Sequence, residues 1–464
     1  MKTELTIDPL TRLEGGGRVQ IDIEDGKVRD LQFSTMSSPR FFEYLLLNKP
    51  AEDAPRISER ICGICYVNHH LVSVKAVEDA WGVEVPEAAT MLRRVMNAGS
   101  FVTSHTLHLA FLALPDLLDI EERNVLGVAK KNPELAKAAL KIHEYGNRVV
   151  TEIGGRLVHP VTAVPGGMTK ALSGESRLKL LTEGRQALSG IKKLVDLFFD
   201  IYEKRQDEPL EYMAGKTNHM GLVSDGKHEL YDGPVRVKDE EGRIIHEFKP
   251  QDYKAHWEEQ ACGHSYTKVP YLKSKGYPNG IGRVGPLSRF NVMDTMPWHV
   301  ARQYLEAYDK LFGRPSHDTA AYNLARAVEL VAAAEECVSY LSDDRIVSTE
   351  TRVPVVTKAG EGVGIVEAPR GLLLHNYRVD DKGLIRNVNI IAPTTFNHPV
   401  IERNLRSWAD AHADQLTKIK KRDEAYWRLE KIVRAYDPCL SCSVHMIDVD
   451  LRVDGKRIEG EGEG

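Results

Sequence analysis

Four cysteines, in two pairs at opposite ends of the chain, carry most of its chemical information. Cys62 and Cys65 stand in RICGICYVNHH, and Cys439 and Cys442 in DPCLSCSVH. A Cys-x-x-Cys spacing puts two thiolates a few ångströms apart, which is metal-chelating geometry. If the two ends meet, they form a four-thiolate site closed by nearly the whole fold. Soft sulfur ligands select zinc, iron–sulfur, copper(I) or nickel-type chemistry rather than magnesium or calcium. Spacing alone leaves a structural zinc and a catalytic or redox metal equally open. Structural zinc usually staples modules too small to fold unaided, and 464 residues need no staple. If the four serve one site, only Cys262 and Cys337 remain. Two thiols cannot ligate a four-cysteine iron–sulfur cluster, so electrons released here must leave through another polypeptide.

The elements that must position these residues read as mainly α with peripheral β, an α+β class. Residues 5–34 alternate in polarity around a turn at Asp25-Gly26 and predict a small sheet. Helical periodicity predicts helices over 88–114, 133–152, 176–204, 320–341 and 400–435. The segment 154–174 is punctuated by Gly and Pro and reads as irregular. Residues 216–248 look β-rich, part of a peripheral excursion over about 216–291, and 349–391 predicts further strands, including RVPVVTK, GVGIVEA and LIRNVNII. The glycine-rich GGG (15–17) and GEGVG (360–364) do not match a nucleotide-binding GxGxxG and read as turns. No low-complexity linker divides the chain, and the cysteines come from both ends, so residues 1–445 read as one intertwined domain.

Composition bounds the partners. Hydrophobic content of 42% with 28% charged residues suits a soluble globular protein. A net charge of −5 gives no basic surplus to offset phosphates, which argues against nucleic acid. The N-terminus has no apolar signal-peptide core. The longest apolar stretch, around 107–118, contains His108, Pro115 and Asp116 and is too short for a membrane segment. A reducing cytoplasm is the expected setting.

The motifs around the cysteines narrow the choice. TRLEGGG (11–17), RFFEYLLLNKPAEDAPRISER (40–60), GGRLVHPVTAVPGG (154–167), RVGPLSRFN (283–291), EAPRG (367–371) and APTTFN (392–397) run in order between and around the two pairs. Together they resemble the catalytic large subunit of nickel–iron hydrogenases, over nearly the whole chain, and look most like a cytosolic, deazaflavin-non-reducing branch. Complex I contains a relative of the same fold without the cysteines.

That resemblance implies a helical bundle that cleaves dihydrogen heterolytically and reversibly. It implies nickel bound by Cys62, Cys65, Cys439 and Cys442, and an iron bridged through Cys65 and Cys442 that carries carbon monoxide and cyanide. Cys439, a terminal thiolate, is the implied site of transient protonation, and Glu14 of TRLEGGG the carboxyl that relays the proton. Arg370 and Thr394, beside Pro369 and Pro393, are the implied donors to the cyanide pocket, with the Arg370 guanidinium over the open metal face. His69 is the implied imidazole against the bridging sulfur. Glu43, His445 and a backbone carbonyl at Ile390 or Ile391 are the implied ligands of a magnesium, or iron, near the C-terminus. A maturation endopeptidase is expected to cut between His445 and Met446, releasing 446–464.

The expected partners are a small iron–sulfur subunit, with an electron-transfer adaptor or heterodisulfide-reductase-like assembly beyond it. Two departures stand out: Gly16 replaces the histidine that ends the family's first motif, and Ser104 stands where a pocket aspartate is often found. The alternative readings are a complex I-like subunit, a hydrogen sensor or a structural-zinc protein.

Overall fold

The structure is a computed structural model that describes residues 2–37, 40–118, 120, 122–204, 215–418, 422–444, 452–453 and 456–457. About 51% is helical and 21% strand, so the mainly helical class with small sheets holds.

The N-terminal strands β1 (Lys2–Ile7), β2 (Gly17–Glu24) and β3 (Lys27–Thr35) form an antiparallel sheet in that order. Its alternating burial, with Val19, Ile21 and Ile23 inward, is the period-2 pattern read from sequence. Helix α1 (Tyr66–Trp81) follows directly on the first cysteine pair. Four longer helices make the bundle: α2 (Glu87–Leu107), α3 (Pro133–Gly154), α4 (Gly174–Lys204) and α5 (Ala321–Ser342). α5 packs on α2 and α4, and α3 bridges the same two. α5 is buried almost all round, as the central rod of a bundle must be.

Four expectations need correction. The helix expected over 88–114 is regular only to Leu107, then widens into a π-type turn at His108–Ala113. There the Leu112 carbonyl accepts from Arg12 at 2.7 Å, a use for a widened turn of the kind common at functional sites. The long helix expected over 400–435 is split: α6 (Pro393–Ala411) begins earlier, a short turn spans Ala413–Leu416, and α7 is Arg422–Ala435.

RVPVVTK is not a strand either. Only Arg352 bridges, to Gly167, and Pro354 lacks the donor a ladder needs. The strands of the 349–391 stretch are β4 (Gly360–Ala368), β5 (Gly371–Val379) and β6 (Ile385–Ile391), an antiparallel sheet in chain order. GEGVG is therefore strand, not turn, and its glycines have a packing reason. A Cβ at Gly360, Gly362 or Gly364 would lie 2.1–2.2 Å from the carbonyl oxygens of Ala80, Ala76 and Val72. α1 thus rests backbone to backbone on β4. The excursion holds Asn218–Ser224, Val235–Lys238, Ile244–Phe248, Trp257–Ala261 and Lys268–Leu272, as its polarity pattern suggested.

Candidate metal centre

Two turns deliver the sulfurs. Cys62 ends a short helical turn and Cys65 caps α1, so the Cys62 sulfur accepts the N–H groups of Ile64 and Cys65, both at 3.3 Å. Backbone donors at a helix start favour a thiolate. Cys439 and Cys442 sit in the turn after α7, with Cys439 N–H donating to Thr394 Oγ1 at 2.9 Å. The four converge: Cys62–Cys439 3.2 Å, Cys65–Cys439 3.9 Å and Cys439–Cys442 2.9 Å between sulfurs. None is in a disulfide and all are buried. Among the described residues they are the only group of three or more His, Cys, Asp or Glu with ligand atoms within 4.8 Å of one another.

The donor set fits a metal. Four-coordinate binding with metal–sulfur bonds of about 2.3 Å spaces sulfurs about 3.8 Å apart; Cys65–Cys439 matches that spacing, and the two shorter pairs need only to open by less than an ångström. Contact with the Cys439 and Cys442 sulfurs pulls Cys65 well below the ordinary thiol range, while burial pushes Cys439 and Cys442 well above it. A dry pocket cannot hold four negative sulfurs without a cation.

A buried clamp brings the two chain ends together. Asp116, just after the π-type turn, accepts from Arg12 at 2.5 Å and from Arg434 and Trp427. Thr11 and Arg434 share Glu430 as well. Gly15, at φ +85°, lets this segment cross the second cysteine turn where a Cβ would meet Leu440. Glu14 is thereby laid against the site: Oε2 is 3.1 Å from Cys439 Sγ and accepts Ser441 N–H at 3.0 Å, while Oε1 accepts from Ser441 Oγ.

Arg370, far along the chain from Glu14, reaches the same group of sulfurs. Its guanidinium donates to Cys65 Sγ at 3.3 Å, Ser104 Oγ at 3.4 Å, and Asp437 Oδ1 at 3.0 Å and O at 2.7 Å. Burial works against the Asp437 charge, but Arg370, His108 and Arg326 together outweigh it and hold the carboxyl below its ordinary range. Asp437 is the residue sequence reasoning missed; it lies two positions before Cys439, inside the quoted motif, and supplies an acid where Ser104 lacks one.

Pro369 is buried, and its carbonyl accepts from Arg289 at 3.2 Å. Pro393 starts α6, ahead of Thr394. Arg289 also grips Glu329 and Glu367, and Glu329 accepts from His105 and His228; this buried network had no local sequence signal. His69 Nε2 is 3.4 Å from Cys442 Sγ. Glu43 accepts Ile390 N–H at 2.7 Å, next to Ile391, while His445 and Met446 lie outside the described residues. Of the two remaining cysteines, Cys337 is fully buried in α5, and Cys262 is half-buried beside His264.

The comparisons with known proteins agree with this geometry. The sequence pattern described as nickel-dependent hydrogenase matches residues 40–137 and 214–445, and one described as HoxL-like matches 4–37. The chain belongs to the nickel-dependent hydrogenase family. It is 41% identical to a component of the F420-non-reducing hydrogenase vhu of Methanocaldococcus jannaschii, over 88% of this chain and 98% of that one. It is 36% identical to the NAD-reducing hydrogenase HoxS subunit beta of Cupriavidus necator, over 96% of each. A crystal structure of an NAD+-reducing [NiFe]-hydrogenase in the H2-reduced state superposes with a TM-score of 0.90 at 35% identity, covering 96% of this chain and 99% of that one.

This hydrogenase large subunit is therefore an oxidoreductase with a nickel-dependent site at its four cysteines. The matches do not favour a sensor, a complex I-like subunit or a structural-zinc protein. No described helix is long and apolar enough to cross a membrane.

Proposed function

We propose that the four-cysteine site holds nickel and iron and that the residues around it divide the work of splitting dihydrogen. The observation that carries this is the convergence, on four buried sulfurs from both chain ends, of one carboxylate at Cys439 and one guanidinium at Cys65. All four thiolates would hold nickel, and Cys65 and Cys442 would also hold an iron that bears carbon monoxide and cyanide. Bound there, the two metals supply a Lewis-acidic, redox-active pair that polarises dihydrogen and takes up its electrons.

The chain handles the proton. The Cys439 sulfur receives it, and Glu14, in hydrogen-bond reach, takes it on; a carboxyl both accepts and donates, as a relay requires. The next group is Ser441, half-exposed and bonded to the second carboxylate oxygen. Arg370 places a fixed positive fork over the sulfurs and is held there by Asp437. Thr394, whose hydroxyl already accepts from Cys439 N–H, keeps its own O–H to donate into the pocket, which Pro369 and Pro393 help to keep apolar. His69 steadies the shared Cys442 sulfur.

Glu43, His445 and a carbonyl at Ile390 or Ile391 hold a magnesium or iron. Residues 1–445 act as one domain, in the cytoplasm, with a small iron–sulfur subunit, beyond which lies an electron-transfer adaptor or heterodisulfide-reductase-like complex. The scarcity of further cysteines supports the need for that partner. A maturation endopeptidase removes 446–464.

Infrared spectroscopy with metal analysis of the purified complex tests this. Nickel and iron together with carbonyl and cyanide stretches are expected. Zinc alone, without those stretches, would refute the proposal.

A further inference from the structure

His69 uses both of its ring nitrogens. Nε2 faces Cys442 Sγ at 3.4 Å, and Nδ1 faces His375 Nε2 at 3.1 Å. The row continues: His375 Nδ1 is 2.6 Å from the Tyr377 hydroxyl, which is 2.9 Å from Ser73 Oγ. All five side chains are buried to within 1%. His69 and Ser73 stand one turn apart on α1, and His375 and Tyr377 two residues apart on β5, so each pair shares a face. The close seat of α1 on the sheet, permitted by the glycines of β4, brings the two pairs together.

Each contact in such a row holds one proton between its two heavy atoms. A metal-bound Cys442 thiolate has none to give. Two neutral imidazoles, a phenol and a serine hydroxyl carry one apiece. One order then fills every contact: Ser73 O–H donates to Tyr377, Tyr377 O–H to His375 Nδ1, His375 Nε2–H to His69 Nδ1, and His69 Nε2–H to the sulfur. The short Tyr377–His375 distance suits a phenol donating to an imidazole lone pair. Hydrogen bonds aligned head to tail polarise one another, so each donor strengthens the next.

We infer that His375 and Tyr377 are positioning residues for the metal centre: aligned through His69, they drive its N–H onto the Cys442 sulfur and so draw electron density off the metals. This rests on the reading that Cys442 bridges to a carbonyl-bearing iron. Weakening the N–H···S bond leaves more charge on the sulfur and the iron, and a more electron-rich iron lowers the stretching frequency of its carbonyl.

The test is the infrared carbonyl band of the complete, nickel-loaded complex. Tyr377→Phe is expected to shift it to lower wavenumber, and Ser73→Ala to shift it the same way by less. The double variant should match Tyr377→Phe alone, because Ser73 acts only through the phenol. 3-Fluorotyrosine at position 377, a more acidic donor of nearly the same shape, is expected to shift the band upward, and this arm stands if Tyr377→Phe does not fold. An unmoved band in Tyr377→Phe, additive shifts in the double variant, or a fluorotyrosine shift to lower wavenumber would overturn the inference. A wild-type complex with no carbonyl band fails differently: it removes the nickel–iron reading itself, and this inference with it.

Discussion

Glu14 and Cys439, from opposite ends of the chain, touch: the carboxylate oxygen is 3.1 Å from the sulfur, and the two residues also pair as an isolated β-bridge. Glu14→Gln keeps the shape and the bond to Ser441 but cannot pass a proton. Turnover and exchange of dihydrogen with solvent deuterium are expected to fall by about 10²–10⁴-fold, with the metal spectrum nearly unchanged. Isotope exchange at the wild-type rate would show that protons leave by another route.

Serine in place of Cys62, Cys65, Cys439 or Cys442 is expected to abolish nickel retention, since a hydroxyl is a hard ligand that stays protonated. Cys337→Ala provides the contrast. Its sulfur is fully buried in α5 and lies 3.7 Å from the Val95 carbonyl, so the variant should lose roughly 0.5–3 kcal/mol of stability and keep its nickel. Metal analysis after gel filtration separates the two behaviours.

Gly362→Ala places a Cβ 2.2 Å from both the Ala76 carbonyl and the Ala80 nitrogen. Neither atom is a side-chain end that can swing away, so α1 must lift off the sheet. A loss of about 1–3 kcal/mol or more is expected, along with reduced nickel content, because α1 begins at Cys65. Thermal unfolding with metal analysis checks both; an unchanged melting temperature would contradict the close seat.

Glu336 gives a pH signature. Burial first, and then the neighbouring Glu229, push its carboxyl from 4.5 up to about 8 in the folded chain. The native state therefore holds a proton that the unfolded chain releases. Stability is expected to fall as pH rises between about 4.5 and 8, by at most about 1.4 kcal/mol per unit from this group. Glu336→Gln should flatten that slope and be the more stable protein at pH 8. Denaturant unfolding at pH 5.5 and pH 8 measures it, and equal slopes in both proteins would count against the shift.

Loss of 446–464 is expected in the nickel-loaded subunit. Intact-mass measurement decides it, and the full-length mass in the active protein would show that the tail is kept.

Local chemistry was legible in the sequence, and distant pairing was not. The cysteines, Glu14 and Arg370 lie in short motifs whose spacing survives folding. The Arg370–Asp437 pair, the His69–His375 contact and the Arg289–Glu329 network join residues from separate parts of the chain, and no local pattern announces them. α1 escaped because it is buried nearly all round, which erases the amphipathic period that marks a helix. β5, buried on both faces, lost its alternation for the same reason. Glycine usually signals a turn, so GEGVG misled: there the missing side chains make room for a helix.

The clamp in which Asp116 holds Arg12 and Arg434 also sets an order of events. Contacts that join the first and last parts of a chain have the highest contact order and the largest loop-closure cost. During synthesis, the bundle and the Cys62–Cys65 turn are complete long before Arg434 and the second pair emerge. Until then the pocket is half built and open on the side that Cys439 and Cys442 will cover. Asp116 can hold Arg12 as soon as both are made, but it waits for Arg434, and its capture of that second arginine marks the moment the centre becomes enclosed.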